Sequence, residues 1–120
     1  VPEGGCPEGE DPLAAARREL KEETGYEAAR WDYLGPVALS NSATDETGHL
    51  YLARDLTQGE PEPEGTEQLT VKTVAWEEAW RMAMEGEITD ILTVASLARA
   101  RHVLDRERGR PVRPAFGDAP

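Results

Sequence analysis

Glu19, Glu22 and Glu23 are the residues whose types and spacing could do chemistry. On a helix turning about 100° per residue they fall within roughly 100° of arc, beside a stripe of Leu13, Ala16 and Leu20. Three carboxylates therefore line the edge of a face expected to be buried. The arrangement costs stability. Glu19 and Glu23 are four apart, a like-charge spacing worth roughly 0.2–0.5 kcal/mol against the helix. All three sit toward the C-terminal end, where the helix dipole disfavours negative charge. A helix shaped for stability alone would carry lysine or arginine there. A cation against the wall gives the arrangement a purpose, because carboxylate oxygens are the ligands that hard cations such as magnesium prefer. The competing reading is a solvated acidic face, and helix geometry by itself does not choose between the two.

The elements that must position this wall can be read from caps and periodicity. Residues 1–10 read as a loop, interrupted by Pro2, Gly4, Gly5, Pro7 and Gly9. Asp11 is a good N-cap, Pro12 suits the first helical position, and Gly25 suits the C-cap. Strong helix formers fill the span from Leu13 to Glu23. Residues 28–39, with Trp31, Tyr33, Leu34 and Val37, are expected to form one or two strands broken at Gly35-Pro36. A polar loop over 39–46 leads to a strand over 49–54. A Pro- and Glu-rich loop over 59–65 leads to an alternating stretch, 69–75, expected as a further strand. Helices are expected over about 77–85 and 90–104, the second presenting Ile91, Ala95 and Ala98 on one apolar face that Leu92, Val94 and Leu97 widen. The first 107 residues read as one domain, and 108–120, with three prolines, two glycines and little to bury, as a disordered tail.

Composition narrows the function classes. A length of 120 residues suits one domain. The net charge of -11 disfavours nucleic acid and anionic membranes as partners. A phosphate substrate stays open to such a chain if metal ions neutralise part of the site. No apolar run reaches the length of a membrane helix, and the start resembles no signal peptide. Cys6, the only cysteine, reads as a loop residue, and a reducing cytoplasm is the expected location. His49 and His102 lack metal-ligand spacing. Trp31, Tyr33 and Tyr51 could stack on a base, but aromatics at strand positions more often belong to a core.

The surrounding pattern resembles the Nudix hydrolase signature. That box is Gly, five residues, Glu, seven residues, Arg-Glu, an apolar residue, any residue, Glu-Glu, any residue, Gly and a final apolar residue. This chain has Gly4, Glu10 and then Arg18-Glu19-Leu20-Lys21-Glu22-Glu23-Thr24-Gly25-Tyr26. Seven fixed positions match without a gap, which chance would produce on the order of once in 10⁸ windows. Tyr26 stands where an aliphatic residue is usual. The segments Glu64-Gly65-Thr66-Glu67 and Gly86-Glu87-Ile88-Thr89-Asp90 are similar to the branch acting on ADP-ribose and nucleotide sugars. That branch often has a proline fifteen or sixteen residues past the box, where this chain has Asn41 and Ser42.

The resemblance implies an α/β fold, a Nudix-like α/β/α sandwich with a mixed sheet, here expected to lack its N-terminal strands. An incomplete domain of this kind should be weakly stable and prone to aggregate or form a homodimer through an open edge. The resemblance also implies Mg²⁺ (or Mn²⁺) held by Glu19, Glu22 and Glu23, with the Glu3 carbonyl as a further ligand. Glu10 would support the loop, Arg18 would orient Glu22 or its neighbours, Gly4 would let the backbone approach the metal, and Gly25 would end the helix. The implied reaction is metal-assisted hydrolysis of a nucleoside diphosphate linked to another moiety, ADP-ribose or a nucleotide sugar being favoured. The alternatives are a nucleotide-binding regulatory module without turnover and a nucleoside triphosphate pyrophosphohydrolase. A general base must come from outside the metal-holding glutamates. Glu67 is the first choice, Glu64 the second and Glu46 a third, each weighed against a solvated loop glutamate.

Overall fold

The computed structural model describes residues 1–6, 8–39, 46–59 and 71–109. The chain divides into two compact units, Val1–Ala75 and Trp76–Pro120. The first unit holds helix α1 (Pro12–Thr24) and strands β1 (Tyr26–Ala38) and β2 (Thr47–Gln58). The second holds helices α2 (Trp76–Met84) and α3 (Ile91–Glu107). The class is α/β, as expected, and the sheet among the described residues is one antiparallel pair, β1 with β2.

Helix α1 starts and stops as its caps dictate. The Asp11 carboxylate accepts from the Ala14 amide, Pro12 occupies the first turn, and Gly25 closes the helix in the left-handed region at φ 77°. The Gly25 amide donates to the Lys21 carbonyl at 2.9 Å. Only glycine takes that conformation without a Cβ penalty. The same residue ties the unit together, because its carbonyl accepts from the Gly59 amide just past β2, at 2.8 Å. Ala15 is the fully buried residue of α1, while Leu13, Ala16 and Leu20 are half-buried. The expected stripe is present, but its centre is shifted toward a smaller side chain.

The stretch expected as one or two strands is one strand. β1 runs through Gly35-Pro36 with a register shift between Tyr33 and Gly35, and Gly35 takes φ 100°. The glycine absorbs the irregularity. Pro36 stands opposite His49 beside the register shift, a position at which a strand tolerates proline. Alternation then separates two faces. Leu34 and Leu50 lie on one and are buried. Tyr33 and Tyr51, directly opposite each other, lie on the other with Trp31 and His49.

Residues 71–75, the described part of the strand expected over 69–75, form no strand. Val71 and Val74 are exposed. β-propensity does not hold a segment extended when no neighbouring strand takes up its backbone groups, and this segment makes no ladder with β1 or β2.

In the second unit, Asp90 caps α3 as the sequence suggests, accepting from the Thr93 amide at 3.1 Å and the Thr93 hydroxyl at 2.7 Å. The expected apolar face is half-buried along Leu92, Val94, Ala95 and Leu97, whereas Ile91 and Ala98 are exposed and Ala100 is the buried residue of α3. Helix α2 meets α3 through Trp80, over whose ring the Arg101 guanidinium sits 4.2 Å from the centroid. This cation–π contact adds to the aliphatic stripe. Among the described residues no helix is long and apolar enough to cross a membrane.

Two outcomes follow from this scant core. Leu50→Ala should cost about 2–3 kcal/mol in chemical denaturation, the low end for a buried leucine, because a thin unit collapses around the gap. The Thr93 hydrogen bonds hold the Asp90 carboxyl below its ordinary range. A depressed carboxylate contributes stability above its unfolded value and loses it as pH falls through the folded one. Asp90→Ala should therefore lower the melting temperature at neutral pH and make no difference in strong acid.

Candidate hydrolytic site at the head of the first unit

The loop before α1 and the helix itself bring most of the sequence-predicted residues together. The Arg18 guanidinium is the hub. Its Nη2 donates to Glu10 Oε1 at 3.0 Å and its Nε to Glu10 Oε2 at 3.4 Å, a bidentate pair. Its Nη1 donates to Glu19 Oε1 at 2.8 Å and to Glu22 Oε2 at 3.4 Å, and Nη2 reaches the Gly5 carbonyl at 3.3 Å. One cation therefore fastens the loop to the helix and orients two of the three wall carboxylates. The hydrogen bonds it donates to Glu10, followed by the charge of Glu10 and the contact with Glu19, hold the guanidinium protonated well above its usual range.

Glu19 is the more enclosed of the carboxylates around Arg18, its side chain 18% exposed against 42% for Glu22. Gly4 lies directly against the Glu19 carboxyl, and any Cβ there would overlap it. The glycine is needed for close approach, and its backbone reaches a carboxylate that belongs to the wall. Glu23 accepts from the Glu3 amide at 3.2 Å. Glu3, anticipated for its carbonyl, makes this contact through its N–H. Burial pushes the Glu23 carboxyl up, with the charge of Glu19 adding to the effect and the Glu3 hydrogen bond opposing it.

Other residues fall elsewhere. Glu64 and Glu67 lie outside the described residues. Glu46 is at the hairpin end away from Tyr26, its carbonyl accepting from the Leu39 amide. Among the described residues no three His, Cys, Asp or Glu side chains converge as an ion cage would require. Arg18 occupies oxygens of Glu10, Glu19 and Glu22, and Glu23 is held by the backbone. The donor set still fits a hard divalent cation, since it consists of carboxylate and carbonyl oxygens, and burial, with the charge of Glu19, raises Glu23 toward its neutral form.

Periodicity missed the polar and aromatic dressing of the hairpin. The Arg54 guanidinium donates to the Asp32 carboxylate at 3.1 Å through Nε, and Nη2 contacts the same oxygen. Tyr33 shares a 2.8 Å hydrogen bond with His49 Nδ1. Only the register of β1 against β2 makes these partners neighbours, and register is not visible in one strand's composition.

The raised Glu23 pKa has a stability consequence of definite sign. A group raised on folding stabilises the fold below its unfolded value and loses that contribution as pH rises through the folded value. In chelator, Glu23→Gln should therefore melt at a higher temperature than the parent at neutral pH. The gain should disappear below the ordinary glutamate value of about 4.3.

With this geometry in view, the likeness to known proteins is specific. The NUDIX domain family model matches residues 1–97. An ADP-ribose pyrophosphatase of Mycobacterium tuberculosis is 34% identical over 91 residues, covering 74% of this chain and 44% of that protein. An ADP-ribose pyrophosphatase of Bacillus subtilis is 32% identical over 99 residues, covering 81% and 54%. A methanol dehydrogenase activator of Bacillus methanolicus is 45% identical over 60 residues, covering 50% and 32%. The chain thus spans between 32% and 54% of the length of these curated relatives. A gapless box, the loop pinned to its helix through Arg18 and a family match over most of the residues agree: the chain belongs to the NUDIX domain family.

Proposed function

We propose that this chain carries the hydrolytic centre of a metal-dependent pyrophosphatase acting on a nucleoside diphosphate linked to another moiety, with ADP-ribose favoured. The observation that supports it best is the fastening of the Gly4-Gly5 loop against Glu19 by Arg18, which sets carboxylates of α1 beside an approachable backbone. The substrate class rests on the two relatives named ADP-ribose pyrophosphatase, whose matches run longer than that to the activator.

Glu19, Glu22 and Glu23 would hold Mg²⁺ or Mn²⁺, with the Glu3 carbonyl as a further oxygen donor. When bound, such ions neutralise the diphosphate and lower the pKa of a coordinated water. Arg18 keeps Glu19 and Glu22 in place, and Glu10 keeps Arg18 in place. A water oxygen bonds to one phosphorus, the bridging P–O bond breaks, and the departing phosphate takes the electron pair. The water proton goes to a carboxylate outside the wall, Glu67 first and Glu64 second. The products are a nucleoside monophosphate and a second phosphorylated fragment. A reducing cytoplasm suits the lone thiol of Cys6. Any homodimer would use the unpaired strand edges.

Hydrolysis of ADP-ribose should require Mg²⁺ or Mn²⁺ and stop in excess chelator. Glu23→Gln should abolish most of the rate while the chain stays folded. Glu67→Gln should slow turnover roughly 10²–10⁴-fold with little change in metal affinity. Full activity in chelator would overturn the metal assignment. An unaffected Glu67→Gln would return that residue to the solvent.

A further inference from the structure

Each glutamate of the wall has one carboxylate oxygen engaged by the chain itself. Arg18 Nη1 donates to Glu19 Oε1 at 2.8 Å and to Glu22 Oε2 at 3.4 Å, and the Glu3 amide donates to Glu23 Oε2 at 3.2 Å. The donors come from two different places, a side chain of α1 and the backbone of the loop before it. For Glu19 the loop adds a second restriction, because the Cβ that Gly4 lacks would fall on Cδ and Oε1 of the same carboxylate. The guanidinium is anchored away from its two acceptors on the wall. Its Nε and Nη2 are tied to Glu10, and Nη2 also to the Gly5 carbonyl. Glu19 Oε2, Glu22 Oε1 and Glu23 Oε1 are the oxygens this pattern leaves to a cation.

A carboxylate with one oxygen engaged ligates through the other alone, and this separates the hard divalent ions. Ca²⁺ takes roughly six to eight oxygens in flexible geometry and accepts bidentate carboxylates. Mg²⁺ demands a near-octahedral shell, gives up its waters reluctantly, and is held by about one or two carboxylates with water completing the shell. Among the described residues no three acidic side chains converge, so few carboxylates stand near any one ion. Both features suit a small ion that brings its own water and disfavour a large one that needs many protein oxygens. We propose that Arg18 and the Glu3 amide set the ion selectivity of the wall: by engaging one oxygen of each carboxylate they restrict Glu19, Glu22 and Glu23 to single-oxygen ligation and turn the site against Ca²⁺. The proposal rests on the metal-dependent reading for the ion itself. Both donors are positioning groups, acting through the carboxylates and touching neither ion nor substrate.

Equilibrium binding of Mn²⁺ to the full chain, followed by the paramagnetic resonance of the free ion, tests this without substrate, with Mg²⁺ and Ca²⁺ measured as competitors. The parent should bind Mg²⁺ more tightly than Ca²⁺. Arg18→Lys keeps the charge and loses the fork that spans Glu10 and the wall. It should raise the Ca²⁺ affinity relative to Mg²⁺ about tenfold, the low end of what hydrogen bonds to ligating groups are worth. Glu3→Pro removes the N–H that holds Glu23, leaves Arg18 as it is, and should raise the same ratio. Glu3→Gln keeps that N–H and should leave the ratio unchanged. The ratio is the informative quantity, because a change of charge or a loosened fold alters the affinity for both divalent ions together, and circular dichroism spectra establish that each variant is folded. A ratio that stays at the parent value in either Arg18→Lys or Glu3→Pro overturns the role of that donor and leaves the metal site standing, whereas a parent that prefers Ca²⁺ overturns the selectivity as a whole. A parent that binds none of the three ions refutes the metal-dependent reading and the proposal with it.

Discussion

Carboxylates crowded onto one helical turn repel, and the first unit is organised around the cation that lets them coexist. Arg18 contacts Glu10, Glu19, Glu22 and the Gly5 carbonyl, so one side chain joins the incoming loop to the helix that follows it. Its planar fork suits the task. It grips Glu10 with two parallel donors and still has Nη1 for the helix, a division that a lysine ammonium could not make with the same geometry. The consequence reaches the backbone. With the loop held this close, Gly4 meets the Glu19 carboxyl, and a residue with a side chain would have to displace what Arg18 has just positioned.

The hairpin supplies the platform for that helix through glycine rather than through bulk. Gly25 turns the chain from α1 into β1 and accepts from Gly59 just past β2, so the start of β1 and the end of β2 close on one peptide. Gly35 shifts the register and lets Pro36 remain within the strand. The apolar contribution is small by comparison: Leu34 and Leu50 on one sheet face and Ala15 on the helix are the buried apolar residues of this unit. Directional contacts therefore carry much of the specification, and they depend on register in a way that general hydrophobic burial does not.

That division explains what could be read without coordinates. Helix α1 was legible to the residue because Asp11, Pro12 and Gly25 are local signals whose physics is complete within one turn. Spacing on the helix places Glu19 and Glu22 beside Arg18, while Glu23 bonds to the Glu3 amide and no three acidic side chains converge among the described residues. Arg18 was legible through its four-residue spacing to Glu22, but its stronger partner, Glu10, is eight residues away across a cap and appeared only as a fixed position of the box. The extended segments were harder. Two strands were found because their runs are long, whereas residues 71–75 show that alternation describes a surface a strand could use and does not supply the neighbour it needs. The hairpin aromatics were visible one by one, and that Tyr33 falls opposite Tyr51 depends on register. The α3 face was legible along Leu92, Val94, Ala95 and Leu97 and not at Ile91, which stands exposed at the helix start.

The Glu23 carboxyl carries an electrostatic cost in this fold. Its carboxyl is raised by burial and by Glu19, so the ionised wall is a strained arrangement at neutral pH. A glutamine would relieve the charge and keep the hydrogen bond from Glu3, since an amide oxygen accepts as well. Retaining glutamate makes physical sense where a divalent cation offsets the charge, and binding to the folded state then adds stability by linkage, about 2.7 kcal/mol when the ion is at 100 times its dissociation constant. An unfolded chain disperses its glutamates and gives the ion no comparable site. A cation held there would tie folding to its own binding, and repulsions that are unfavourable in isolation would be offset in the bound state.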